Sequence, residues 1–172
     1  MTNKSINIIA AVDSKFGFGK DGKIPWHIPE DFKFFMTKTL NSVVIMGKTT
    51  FDDLLTYSKN GKVLPNRQCI VLSSDTTLES SWDNVQYTND VTDALFRAAE
   101  FQSDVYFIGG ERVFRVGMNI ADNVYLTHIS NDYDCDRFFP SEKLSAFQLI
   151  DSRKSEVNSD VTYKTYTRME WK

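Results

Sequence analysis

The sequence predicts an α/β protein built on a mainly parallel sheet, and three observations lead there. Short continuous apolar runs recur along the 172 residues, of the kind needed by strands buried on both faces. Segments with apolar residues at helical spacing lie between them. The C-terminal stretch changes character and alternates apolar with polar residues, the mark of an antiparallel hairpin. The expected architecture is a single-domain, three-layer α/β/α fold over residues 1–172, with about eight strands, helices on both faces and the hairpin closing one edge. Composition agrees: 41% of residues are hydrophobic, 25% charged and 13% aromatic, and a chain of this length buries roughly 70% of its unfolded surface.

Ile6 to Val12 is the first buried strand, followed by a glycine-rich stretch from Ser14 to Pro29. Pro29-Glu30-Asp31 opens a helix, since proline suits a first turn and acids suit the positive end of the helix dipole; Phe32, Phe35, Met36 and Leu40 mark its apolar face. Val43 to Met46 is the second strand, and Gly47 leads through Thr49 or Thr50 as N-cap into a short helix with Phe51, Leu54 and Leu55. Ser58 to Lys62 reads as an exposed loop. Cys69 to Leu72 and Val85 to Tyr87 are strands, and Val91 to Phe101 is an amphipathic helix. Val105 to Ile108 runs into Gly109-Gly110 and a helix carrying Val113, Phe114 and Met118, and Val124 to Ile129 follows as a strand. Phe147 to Val157 and Val161 to Trp171 form the hairpin around Asn158-Ser159-Asp160.

Several classes of function drop out. Lys and Arg total 20 against 23 for Asp and Glu, a net charge of −3, the wrong sign for a chain that neutralises phosphates along a nucleic acid. Ile6 to Val12 is too short to span a membrane and lacks the layout of a signal peptide, so no membrane is expected and the location expected is cytoplasmic. Cys69 and Cys135 are far apart and without zinc-ligand spacing; both are expected as free thiols, Cys69 in the core, and no metal is expected.

Three places speak of chemistry. Gly17-Phe18-Gly19-Lys20-Asp21-Gly22 spells G-x-G-x-x-G after a strand. The prolines at 25 and 29 forbid the helix that a dinucleotide fingerprint requires next, which leaves a mobile loop or a lid over a ligand. Gly109-Gly110 joins a strand to a helix start, either as a tight turn or as a site where backbone N–H groups approach a phosphate. Met46-Gly47-Lys48-Thr49-Thr50 repeats that design with a cation and hydroxyls, and Leu72-Ser73-Ser74 adds further hydroxyls, so that three strand ends point to one crevice. Asp31 is either a surface acid at a helix start or the lone acid of an apolar pocket made by Trp26, Ile28, Phe32 and Phe35.

Taken in order, Ile9-Ala10-Ala11, the Gly17-Phe18-Gly19-x-x-Gly22-x-Ile24-Pro25-Trp26 loop, Asp31, Val44-Ile45-Met46-Gly47-Lys48-x-Thr50-Phe51, Leu64-Pro65-Asn66-Arg67, Leu72-Ser73-Ser74, Ile108-Gly109-Gly110-Glu111 and Tyr125-Leu126-Thr127 resemble dihydrofolate reductase. The match spans nearly the whole chain, and the aspartate at position 31 resembles the bacterial and phage branch. The resemblance implies hydride transfer from NADPH to C6 of dihydrofolate with protonation of N5, and it implies binding of antifolate inhibitors. Asp31 would hold the pterin and promote protonation; Thr127 would hydrogen-bond its carboxylate, and Trp26 would order a water. Ile9, Ile24 and Phe35 would form apolar walls, and Arg67 would pair with the α-carboxylate of the glutamate tail. For NADPH, Lys48 and Thr49 would meet the 2′-phosphate, and Thr50 with Gly109, Gly110, Glu111 and Arg112 the pyrophosphate. Ala11, Gly17, Phe18 and Gly19 would face the nicotinamide half, Ser73 and Ser74 the adenosine, with Gly47, Val113 and Phe114 completing the lining. Phe18, Phe51 and Phe114 stand where the family often has Ile, Trp and Tyr, and the segment Tyr57 to Lys62 is longer than in short bacterial forms. A pyrimidine reductase of riboflavin synthesis, or a non-catalytic nucleotide-binding role, is the alternative that turnover of dihydrofolate separates. Monomer and homodimer are equally open.

Overall fold

The computed structural model describes residues 4–58 and 61–170. Its main sheet has eight strands in the order β5-β4-β3-β6-β1-β7-β10-β9. These are β1 (Ile6–Val12), β3 (Val43–Gly47), β4 (Gln68–Leu72), β5 (Val85–Thr88), β6 (Val105–Phe107), β7 (Asn123–Ile129), β9 (Phe147–Lys154) and β10 (Val161–Arg168). From β5 to β7 all neighbours are parallel, and β7-β10-β9 is antiparallel. The helices are α1 (Pro29–Lys38), α2 (Lys48–Thr56), α3 (Val91–Ala99) and α4 (Glu111–Met118).

The expected three layers are present. Ala94, Ala98, Val113, Phe114 and Met118 of α3 and α4 pack in one core with Ile8, Ile45 and Phe107. Phe34, Phe35, Phe51 and Leu54 of α1 and α2 pack in a second core with Ile9, Val44, Met46 and Val71. Successive residues of β1 and β3 thus feed opposite layers, which is why β3 reads as a continuous apolar run and β1 as one interrupted only by the buried Asn7. Gly117 of α4 lets that helix approach the sheet: a Cβ there would lie 2.5 Å from Ile8 Cδ1 and 2.9 Å from Phe107 Cγ.

Four features differ from the sequence expectations. α2 begins at Lys48 with Gly47 as N-cap and no side-chain cap, so Thr49 and Thr50 lie within the first turn and their hydroxyls stay available. A second small sheet pairs β2 (Gly17–Gly19) with β8 (Arg137–Phe138); three residues with two glycines carry no strand pattern. α3 stops at Ala99, two residues before Phe101, and Gln102 just beyond has a positive φ of 51°. In the hairpin β9 ends at Lys154 because the Ser155 hydroxyl accepts from the N–H groups of Val157 and Asn158 and closes the turn. Trp171, and Lys59 and Asn60 of the expected loop, lie outside the described residues. Cys69 is buried in the core as expected.

Candidate active site

The parallel strands bring their carboxyl ends to one side, where a cavity of about 440 Å³ opens. Ile9, Ala10 and Ala11 of β1 form its floor, Phe18, Gly19, Ile24 and Trp26 come from the glycine-rich loop, and α1 adds Asp31, Phe32 and Phe35. α2 contributes Thr49, Thr50, Asp53 and Leu54, and Ile108, Gly109 and Phe114 complete the wall.

Asp31 is placed by its helix start. Pro29 opens α1 without a side-chain cap, leaving Glu30 and Asp31 in the first turn. The Asp31 Oδ1 accepts a 2.6 Å hydrogen bond from the Thr127 hydroxyl on β7, a residue only 1% exposed. Burial raises the Asp31 pKa above the ordinary carboxylate value, the Thr127 bond pulls it back, and the neighbouring Glu30 charge raises it again. Glu30 turns the other way and accepts from the Ser155 hydroxyl at 2.9 Å. Asp31 thus lies on the cavity with Trp26, Ile28, Phe32 and Phe35, as the pocket reading expects, but it is not the lone acid there, because Asp53 of α2 shares the lining.

The opposite chemistry gathers where β3 and β6 end. The Gly47 N–H donates to the Gly109 carbonyl at 2.8 Å, and the Gly109–Gly110 peptide is cis. Gly109 has φ +127°, and a Cβ there would lie 3.3 Å from the Phe114 ring and 3.4 Å from Thr50 Oγ1. The N-termini of α2 and α4 both follow these glycines, so backbone N–H groups and the Thr50 hydroxyl meet at one bare stretch of backbone suited to an anionic group. Lys48 is ion-paired with Asp52 and its charge also lowers the Asp75 pKa, although the Thr77 hydrogen bonds matter more there. That places Lys48 beside the loop that begins at Ser73, whose hydroxyl accepts from the Asp75 N–H at 3.2 Å.

The glycine-rich loop is tied down by a residue that no sequence motif singled out. Asp13, 1% exposed, accepts from the N–H groups of Lys15 at 2.9 Å, Gly17 at 2.8 Å and Tyr133 at 3.1 Å. Burial by itself would raise its pKa, but these three bonds, together with one from the Cys135 thiol, outweigh it and hold Asp13 low. Trp26 packs edge-on against Tyr133 with ring centroids 5.2 Å apart. Phe18 and Phe114, both departures from the usual family residues, pack edge-to-face on each other at 5.3 Å. Phe51, the third departure, is buried against Trp82 and Tyr87.

The structure thus brings together Ile9, Ala11, Phe18, Gly19, Ile24, Trp26, Asp31, Phe35, Thr49, Thr50, Gly109 and Phe114 on one lining, with Thr127 behind Asp31. Gly17, Gly47, Lys48, Ser73, Ser74, Gly110, Glu111, Arg112 and Val113 are not on that lining; Gly47, Gly110 and Val113 sit directly against one another behind it. Arg67 lies on a separate cavity of about 280 Å³ with Asn41, Gln68 and Phe101. It is 5% exposed, and its guanidinium donates to the Thr39 hydroxyl and to the carbonyls of Pro65 and Met36. Those bonds use three of its five N–H groups and leave one on each terminal nitrogen, the pair that a carboxylate can bridge. Asp53, Tyr57 and Arg137 line the main cavity without a sequence signal. Among the described residues no cluster of His, Cys, Asp and Glu is placed to hold a metal, and no helix is long and apolar enough to cross a membrane.

Comparison with known proteins decides the family. The family model described as dihydrofolate reductase matches residues 5–171. The chain belongs to the dihydrofolate reductase family. Among curated relatives, it is 31% identical to the dihydrofolate reductase of Buchnera aphidicola subsp. Acyrthosiphon pisum over 163 residues, covering 95% of this chain and 96% of that one. It is 30% identical to the Bacillus subtilis dihydrofolate reductase over 149 residues, covering 87% and 83%. It also matches the bifunctional dihydrofolate reductase-thymidylate synthase of Paramecium tetraurelia, at 31% identity over 94% of this chain and 34% of that one. Among solved structures, dihydrofolate reductase from Enterococcus faecalis complexed with NADP(H) and RAB-propyl superposes with a TM-score of 0.83 at 30% identity, over 96% of this chain and 97% of that one.

Proposed function

We propose that this cavity reduces 7,8-dihydrofolate to 5,6,7,8-tetrahydrofolate with NADPH, supplying one-carbon carriers for thymidylate and purine synthesis. The single observation that carries the reading is the Asp31 carboxyl, bonded to Thr127, on a cavity whose lining also includes Gly109 and Thr50, the start of the anion cradle.

NADPH, when bound, supplies the hydride that C6 of the pterin accepts. The residues fit it: the Cβ-free backbone at Gly109, the Thr50 hydroxyl beside it and two helix N-termini suit a pyrophosphate. Lys48 and Thr49 take the 2′-phosphate, and Ser73 and Ser74 border the adenosine. Ala11, Phe18 and Gly19 pack the nicotinamide half.

Asp31 pairs with the pterin amino group and N3 and promotes delivery of a proton to N5. Burial raises the Asp31 pKa, which brings its proton affinity closer to the range in which a carboxyl can take part in proton transfer than that of an exposed aspartate. Thr127 fixes the orientation of the carboxylate and moderates the shift. Trp26 and Phe35, both half-buried, limit the access of bulk water, and Arg67 offers its two remaining N–H groups to the glutamate tail. Antifolates with a protonated amino heterocycle compete for Asp31.

The test is the loss of reduced-nicotinamide absorbance on mixing the protein with NADPH and dihydrofolate. Consumption that depends on dihydrofolate supports the reading. Consumption with a ribosylamino-pyrimidine and none with dihydrofolate overturns it.

A further inference from the structure

A second carboxylate stands on the lining of the same cavity. Asp53 is on α2 one turn beyond Thr49 and Thr50, next to Leu54. From α1 come the rings of Phe32 and Phe35. The surface that α1 and α2 present to the cavity is thus apolar and hydroxylic apart from Asp31 and Asp53. The two acids differ in one respect. Asp31 accepts from Thr127, whereas the Asp53 carboxylate has no hydrogen-bond or ion-pair partner among the described residues; only its main-chain carbonyl accepts, from the Thr56 hydroxyl.

Asp53 is half-buried, so with solvent as its donor its carboxylate is free to pair with a charge or an N–H group that a ligand brings to it. Burial raises the Asp53 pKa, and the Lys23 charge pulls it back. Lys23, His27 and Arg137 are the basic side chains on the lining, and none is in contact with Asp53.

We propose that Asp53 sets the charge preference of the folate site. It favours ligands whose aromatic arm carries a basic amine and disfavours those whose arm carries a carboxylate at the same position. This deepens the proposed function and rests on it: a heterocycle held at Asp31 directs its aryl group along the apolar surface of α1 and α2, where Asp53 is the charged group that meets it. An ammonium brought to Asp53 supplies the partner that the folded chain omits, while a carboxylate adds a like charge in a place of reduced dielectric.

The experiment uses three 2,4-diaminopyrimidine probes with one aryl group and arms of equal length ending in a primary amine, a methyl or a carboxylate. Inhibition constants are measured against dihydrofolate in the NADPH-consumption assay, each charged arm being referred to the methyl arm so that general changes cancel. In the natural protein the amine arm is expected to bind about tenfold or more tighter than the carboxylate arm, the size of one charge-assisted contact. Asp53→Asn should bring that ratio close to one, Asp53→Glu should keep most of it, and Lys23→Met should enlarge it by removing the opposing charge. An amine-to-carboxylate ratio that Asp53→Asn leaves unchanged overturns the proposal, as does a natural preference for the carboxylate arm. Failure of the methyl-arm probe to compete with dihydrofolate would instead overturn the reading of the site itself.

Discussion

Thr127→Val tests how the protein sets the proton affinity of its buried acid. Valine keeps the shape of threonine and removes the hydroxyl that donates to Asp31 at 2.6 Å. A hydrogen bond to a charged group contributes about 1.5–3 kcal/mol, and one pKa unit corresponds to about 1.36 kcal/mol. The bond favours the ionised carboxylate, so its loss raises the Asp31 pKa, in the same direction as burial and the Glu30 charge. The assay is single-turnover hydride transfer with saturating NADPH across a pH series. The limb that reports Asp31 should move upward by about 1–2 pH units, with the low-pH plateau changed far less. Stability gives an independent check of sign. A carboxyl whose folded pKa lies above its unfolded value binds extra protons when folded, so its contribution is fully present below the unfolded pKa and is lost as pH rises through the folded pKa. Thr127→Val should therefore widen the window over which the ligand-free protein loses stability with rising pH. A limb that stays in place, or one that moves down, refutes the reasoning.

Further outcomes follow from individual contacts. Lys48→Gln should weaken NADPH binding by about 1–3 kcal/mol and leave NADH nearly unaffected, with the difference shrinking in salt because Lys48 is part-exposed; equal losses for the two cofactors, measured by fluorescence titration, would show that Lys48 does not read the 2′-phosphate. Arg67→Lys keeps the charge but loses the fork and the bonds to the Met36 and Pro65 carbonyls. KM for dihydrofolate should rise with kcat little changed, and a dihydropterin without the glutamate should not respond. Gly117→Ala forces a Cβ within 2.5 Å of Ile8 Cδ1 and 2.9 Å of Phe107 Cγ. Overpacking of about 1–3 kcal/mol outweighs the helix-propensity gain of up to about 1 kcal/mol, and Tm should fall by about 2–8 °C in a thermal melt.

The parts of the molecule that were legible in sequence are those in which one segment carries its own signal. β1, β3, β4 and β6 read as largely apolar runs because each feeds two cores, and the glycines after β3 and β6 announce where backbone meets ligand. The pairing of Asp31 with Thr127 spans 96 residues and has no local signature; it was reached through family resemblance alone. What stayed hidden depends on partners distant in the chain. β2 exists because Arg137 and Phe138 pair with it, and Asp13 matters because Tyr133 and Gly17 donate to it. Arg67 could be read for its fork but not for its burial, since its acceptors include main-chain carbonyls, which no side-chain pattern reveals. Asp53 carries no local signal that separates it from an ordinary helix acid, whereas Asp31, its α1 counterpart on the lining, has aromatic residues around it in sequence.

The measurement that reaches the central claim most directly is single-turnover hydride transfer by Asp31→Asn with saturating NADPH across a pH series. The variant keeps the shape of the side chain and removes the group that pairs with the pterin and promotes protonation of N5. A positioned acid contributes about 10²–10⁴-fold, so the rate at neutral pH should fall by that order while NADPH binding stays close to the natural protein. Acid should restore part of the rate, because solvent then protonates N5. An Asn variant within about tenfold of the natural rate at neutral pH, below the least that acid–base assistance supplies, would contradict the account and return Asp31 to an ordinary acid at a helix start.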